Sequence, residues 1–147
     1  MHTDDQIIEQ ALSILAARIA IDGAIFPSPD AVKKYLVLKL AGLEHEVFSA
    51  LWLNSQHKFI AYEELFRGTL NSASVYPREV AKSALRYNAG AAIFIHNHPS
   101  TICTTSQSDL KITETLKTAL GLFDINVLDH IIVGGLETYS FAEHNLM

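Results

Sequence analysis

Disulfide chemistry is absent from this chain, because its one cysteine, Cys103, has no partner within it. Basic charge is scarce too: 11 Lys and Arg against 16 Asp and Glu leave a net charge of −5. No run of Lys and Arg forms a phosphate-binding stripe, which argues against a surface built to coat nucleic acid. Long apolar runs are missing as well. Ile7 to Ile21 is apolar-rich, but Glu9, Gln10 and Arg18 interrupt it, and it is too short to span a bilayer. The opening residues carry no secretory-signal pattern, so a reducing cytoplasm is the expected location. There is no low-complexity tract and no internal repeat.

What is present is a core. Apolar residues make up 49% of the 147 residues and charged residues 18%, which suits one globular domain and not a disordered chain. Residues 4 to 20 read as a helix, with Ile7, Ile8, Leu12, Leu15 and Ile19 at helical spacing and Asp4 or Asp5 as its cap. Gly23 and Pro27-Ser28-Pro29 break that pattern. They divide an N-terminal helical arm over residues 1–29 from a main domain over residues 30–147. A second helix is expected over residues 30–41, capped by Asp30.

Glu46 to Leu53 reads as a strand buried on both faces, residues 54–57 as a turn, and Lys58 to Leu65 as the return strand. Pro77 opens a helix to about Asn88, with Val80, Ala84 and Tyr87 as its apolar stripe. After Gly90, Ala91 to Ile95 is a central strand that delivers His96 at its end. Ser106 caps a helix over Leu110 to Leu120 and puts Asp109 at the third helical position. Val127 to Val133, a Gly134-Gly135 turn and Thr138 to Phe141 form a last pair of strands. The whole is a mixed α/β domain with helices covering a sheet.

The chemistry concentrates in residues 96 to 109, HNHPSTICTTSQSD. Side chains two apart on an extended strand share a side, so His96 and His98 can aim at one point. Pro99 holds the preceding residue toward extended geometry. Asp109, at a helix start, is electrostatically favoured there. Two imidazoles and one carboxylate make a three-ligand set that leaves a fourth position open on zinc. The same ligand types suit iron or manganese. The bland alternative stands beside this: Ser106-x-x-Asp109 is a good capping pattern without a metal, and an H-x-H pair can be two satisfied imidazoles. A hydrolytic site also needs a general base. Glu44, Glu46, Glu63 and Glu64 are candidates, and Glu46 leads because it opens a buried strand.

The spacing H-x-H-P-x6-S-x2-D, carried by His96, His98, Pro99, Ser106 and Asp109, resembles the JAMM (MPN-type) metalloprotease signature. The segments EVFSALWLN (46–54), GTLNSASVYPREV (68–80), AAIFIHNHPS (91–100) and LDHIIVG (128–134) look like the RadC-like branch of that superfamily. The resemblance covers residues 30 to 143. It implies a three-layer α/β/α domain of the cytidine-deaminase-like JAMM/MPN fold, with a mixed sheet and one zinc per chain. His96, His98 and Asp109 would be the ligands, Glu46 the catalytic base and then acid, and Ser106 the group that steadies the oxyanion. The implied reaction is hydrolysis of a peptide or isopeptide bond by zinc-bound water.

The chain departs from the relatives' pattern at Thr101, where they usually have Gly, and at Thr105, where they usually have Pro. Longer RadC-like proteins carry an N-terminal helix-hairpin-helix module, and the residues ahead of the domain here are too few for one. A zinc deaminase is excluded, since it needs a P-C-x-x-C pair and this chain has one cysteine. The contiguous H-N-H is unrelated to the HNH nucleases, whose three residues are spread along the chain.

Four further expectations concern single residues. Asp129-His130 is either a pair that orients a ligand histidine from behind or ordinary hydrogen-bonded structure. Cys103 is a free thiol in the loop between the ligands, where a fourth protein ligand would close the site. His2, His45, His57 and His144 belong to the surface, and Trp52 to the core. The expected partner is a peptide or protein substrate, without a membrane. A non-catalytic metal-binding module and a DNA-repair-associated accessory protein are the competing functions.

Overall fold

The computed structural model describes residues 3–21, 29–68 and 75–147. The break expected at Gly23 and Pro27-Ser28 lies outside them, as does His2. In chain order the elements are α1 (Asp4–Ile21), α2 (Pro29–Leu40), β1 (Val47–Leu53), β2 (Phe59–Arg67), α3 (Pro77–Arg86), β3 (Ala91–Asn97), α4 (Gln107–Gly121), β4 (Asn126–Gly134) and β5 (Glu137–Ser140). A single turn of 3-10 helix follows at Ala142–His144.

The five strands form one mixed sheet in the order β2-β1-β3-β4-β5. β3 pairs in parallel with β4, and α4 supplies the crossover that a parallel pair requires. β1 runs antiparallel to both β2 and β3. Every residue of β1 and β3 is buried, because helices cover both faces. On one face Val47, Leu51, Ile93, Ile95, Ile131 and Val133 pack under α2, with Val32, Leu36 and Leu40. Leu12 of α1 joins that cluster. On the other face Phe48, Ala50, Trp52 and Phe94 pack against α3 and α4 through Val80, Ala84, Ile112, Leu116 and Leu120. The result is the α/β/α layering expected from sequence, with Trp52 fully buried in the core.

Two helix starts differ from expectation. The cap of α1 is Thr3: its Oγ1 accepts from Gln6 N at 3.2 Å, while Gln6 Oε1 accepts from Thr3 N at 2.8 Å. This reciprocal capping box leaves Asp4 and Asp5 in the first turn, where they favour the positive end of the helix. Pro29 belongs to α2, so Asp30 lies inside the first turn and is not its cap. Glu46 also falls just outside β1 and is half-buried.

The β1–β2 turn forms because Asn54 Oδ1 accepts from both Gln56 N and Lys58 N, each at 2.9 Å. His57 turns the corner at φ 62° and is half-buried, so it is less exposed than expected. Gly90 lies against this turn. A Cβ there would meet Ser55 Cα at 2.6 Å.

One buried side chain joins the ends of β1 and β3. Asn97 Oδ1 accepts from Val47 N at 2.7 Å, and Asn97 Nδ2 donates to His45 O at 2.9 Å. It holds the chain on both sides of Glu46 beside the end of β3. Asn97→Ala leaves the buried Val47 N–H without its acceptor, a loss on the order of 1–3 kcal/mol. Urea denaturation of the variant should report a destabilisation of that size.

Candidate metal centre

His96 is the sixth residue of β3, pairs with Phe48 of β1 and is fully buried. His98 follows the end of the strand, and its N–H donates to Val133 O at 2.7 Å. That bond carries the extended pairing past the strand end, so both imidazoles emerge on the same side of the sheet. Asp109 arrives from the first turn of α4. Ser106 Oγ accepts from Asp109 N at 3.1 Å, and Ser106 N donates to Asp109 Oδ2 at 2.9 Å. The capping box therefore holds the carboxylate while it starts the helix.

Three side chains converge. His96 Nε2 lies 2.9 Å from His98 Nε2 and 3.3 Å from Asp109 Oδ1, and His98 Nε2 lies 3.9 Å from Asp109 Oδ2. A tetrahedral ion with bonds of about 2.0–2.1 Å places its donors roughly 3.3 Å apart. The observed separations straddle that value, so the donor set fits a small divalent cation. His98 Nδ1 meets Ile102 O at 2.7 Å. A carbonyl only accepts, so Nδ1 carries the proton and neutral His98 turns its Nε2 lone pair toward the cluster.

Behind His96 sits His130, its Nε2 2.7 Å from His96 Nδ1. Asp129 does not join it. Its carboxylate instead binds Ser140 Oγ, Ala142 N and the backbone N–H of His130, which anchors the chain after β5. The expected pair is thus split: one member faces the site and the other is structural. Thr113, one helical turn beyond Asp109, touches His130 Nδ1 at 2.6 Å. Sequence reasoning missed Thr113, although its spacing of four from Asp109 on a helix was the available signal.

The remaining candidates separate clearly. Cys103 Sγ donates to Gly134 O at 3.7 Å and Glu137 O at 3.4 Å, which ties it to the β4–β5 turn as a free thiol. Among the described residues, the converging group consists of His96, His98 and Asp109. Glu63 accepts from Trp52 Nε1, Glu64 pairs with Arg67, and Glu44 is exposed. Glu46 precedes Phe48 by two residues, and the Phe48 ring stacks on His96 with centroids 6.5 Å apart. Ser106 accepts its capping bond and keeps a hydroxyl proton to donate.

This layering and these three converging side chains, which could hold a metal ion, define an α/β domain of the JAB type. The chain belongs to the RadC-like JAB domain family, whose profile matches residues 26–146. It is 53% identical over 141 residues to the UPF0758 protein of Methylibium petroleiphilum, covering 96% of this chain and 63% of that protein. It is 60% identical over 124 residues to the UPF0758 protein of Pseudoalteromonas translucida, covering 84% of this chain and 55% of the relative. The UPF0758 protein YfjY of Escherichia coli is 49% identical over 145 residues, covering 99% of this chain and 91% of the relative. The chain thus spans 63% and 55% of the first two relatives and 91% of YfjY. No helix of the described residues is long and apolar enough to cross a membrane.

Thr101 is a strained residue in the loop between His98 and Asp109. It follows the tight turn in which its N–H donates to His98 O at 2.9 Å, and it adopts φ 68°. Glycine takes that conformation freely, whereas a β-branched residue is strained there by about 1–3 kcal/mol. Thr101→Gly gives back about 0.5–1 kcal/mol in chain entropy. It should still raise stability by about 1 kcal/mol in thermal or urea unfolding.

Burial pushes the His96 imidazole down to about 4, with Asp109 opposing and His98 adding to the fall. Burial also drives His130 well below its ordinary value, with His96 and His98 acting in the same direction. An unfolded histidine takes its proton near 6.5. Between 6.5 and about 4 the unfolded chain therefore binds more protons, and stability falls as the pH falls through that window. For His96 alone the loss approaches roughly 3 kcal/mol. Urea denaturation of metal-free protein at neutral and mildly acidic pH measures it, and a flat profile would rule out neutral buried histidines.

Proposed function

We propose that the protein is a zinc-dependent hydrolase of the JAMM type that cleaves a peptide or isopeptide bond. The observation that carries this reading is the convergence of His96 Nε2, His98 Nε2 and the Asp109 carboxylate, with no fourth side chain in the described group. A bound zinc supplies a Lewis acid and a water whose pKa falls toward about 7. The three ligands would hold it, and their open side would admit the substrate carbonyl.

Glu46 is assigned the proton. It immediately precedes β1, and the chain on both sides of it is held to the end of β3 by Asn97. A carboxylate there can take a proton from the attacking water and pass it to the leaving nitrogen. Ser106 donates its free hydroxyl proton to the oxygen that becomes negative as the carbonyl is attacked. Its capping bond fixes the hydroxyl oxygen before substrate arrives. The same reading treats residues 30–147 as the metal-binding domain and residues 1–29 as an arm. Its partner is a peptide or protein, and its single cysteine suits the cytoplasm.

Two variants test this. His98→Ala should lose most bound zinc by elemental analysis, and unchanged zinc content would count against the ligand set. Glu46→Gln should keep about one zinc per chain and lose turnover by at least about 100-fold on a peptide or isopeptide substrate. Full activity in that variant would remove the assigned role. Bound zinc without turnover in the unmodified protein would favour a metal-binding module without catalysis.

A further inference from the structure

We propose that Thr113 and His130 are positioning residues that set the tautomer of His96, forcing its Nε2 lone pair toward His98 and Asp109. This rests on the reading that His96, His98 and Asp109 hold a metal.

The cluster by itself allows two arrangements. With its proton on Nε2, His96 would donate across 2.9 Å to the lone pair of His98. The histidines would then satisfy each other, and His96 would offer a cation nothing. With its proton on Nδ1, His96 presents a third acceptor beside His98 and Asp109. Three acceptors so close call for a cation.

A buried chain of hydrogen bonds decides between them. Thr113 Oγ1 lies 2.7 Å from Asp109 O and 2.6 Å from His130 Nδ1. A hydroxyl has one proton. If Thr113 gave it to His130, two oxygens would face each other at 2.7 Å with nothing between them. Both contacts are favourable only if Thr113 donates to the carbonyl and His130 Nδ1–H donates to Thr113. The His130 ring is fully buried, stacked on Phe141 with centroids 4.6 Å apart and edge-on to Phe48 at 5.6 Å. Such surroundings favour a neutral ring, so its Nε2 is an acceptor. His96 Nδ1, 2.7 Å away, must then be the donor. The chain begins at the backbone of one ligand, Asp109, and ends at the ring of another, His96. It couples the position of α4 to the side of His96 that carries the lone pair.

The first test uses the metal-free, 15N-labelled unmodified protein. Two-bond 15N–1H correlation spectra assign the ring tautomers directly. The proton is expected on Nδ1 of both His96 and His130. An Nε2–H on His96 overturns the proposal. The second test compares Thr113→Val, which removes the hydroxyl at nearly equal volume, with Thr113→Ser, which keeps it. Thr113→Val should let an Nε2–H signal appear on His96 and should weaken zinc binding by about 10–100-fold in competition with a chelator. Thr113→Ser should stay close to the unmodified protein. Unchanged affinity in Thr113→Val overturns the proposal. So does an equal loss in Thr113→Ser, which would place the effect in packing and not in the proton. If Thr113→Val does not fold, the tautomers of the unmodified protein still decide. Failure of the unmodified protein to bind zinc would sink the metal reading alone, because the tautomers are read without metal.

Discussion

Burying two histidines and a carboxylate side by side is the constraint that the rest of this structure answers. Polar groups removed from water cost free energy unless each finds a partner. Here His96, His130 and Asp109 lie in the layer between the sheet and α4, and all three are nearly inaccessible. Each ring nitrogen facing away from the cluster has a partner: His130 for His96, Ile102 O for His98, and Thr113 for His130 Nδ1. Asp109 Oδ2 has one as well, the N–H of Ser106. What remains unneutralised points inward to one place, and that is the site.

The fold supplies the partners by bringing three distant segments to one junction. Parallel pairing of β3 with β4 sets His96 and His130 in adjacent strands, and the crossover that such pairing demands returns the chain as α4. The first turn of α4 then delivers Asp109, and the next turn Thr113. The antiparallel partner β1 lays Phe48 on His96, while Asn97 holds the chain around Glu46. The loop between the ligands is closed by its own contacts. Thr101 accepts a strained turn, and Cys103 is drawn to the β4–β5 turn and away from the cluster.

Much of this was legible. The apolar-rich runs of β1 and β3 announce strands covered on both faces, and Pro77 marks the start of α3. The Ser106–Asp109 spacing identifies the start of α4, because a capping box is a contact between residues three apart. Helix caps decided by a single neighbour were harder: Thr3 with Gln6 was overlooked in favour of the adjacent acids, and Asp30 was displaced by Pro29. Asp129-His130 showed the limit most clearly. Adjacent residues on a strand point to opposite faces, so two neighbours in sequence serve different parts of the molecule.

The sequence by itself determined the residue types and the shared side of His96 and His98, because alternation along a strand is a local property. The packing of α4 on the sheet brought Asp109 to them. Tertiary structure alone decided which nitrogen of each ring faces the cluster. A neutral imidazole has two tautomers of similar energy, and the choice belongs to whatever lies behind it. For His98 that is a carbonyl four residues along the loop. For His96 it is a histidine 34 residues away, itself set by a threonine of α4.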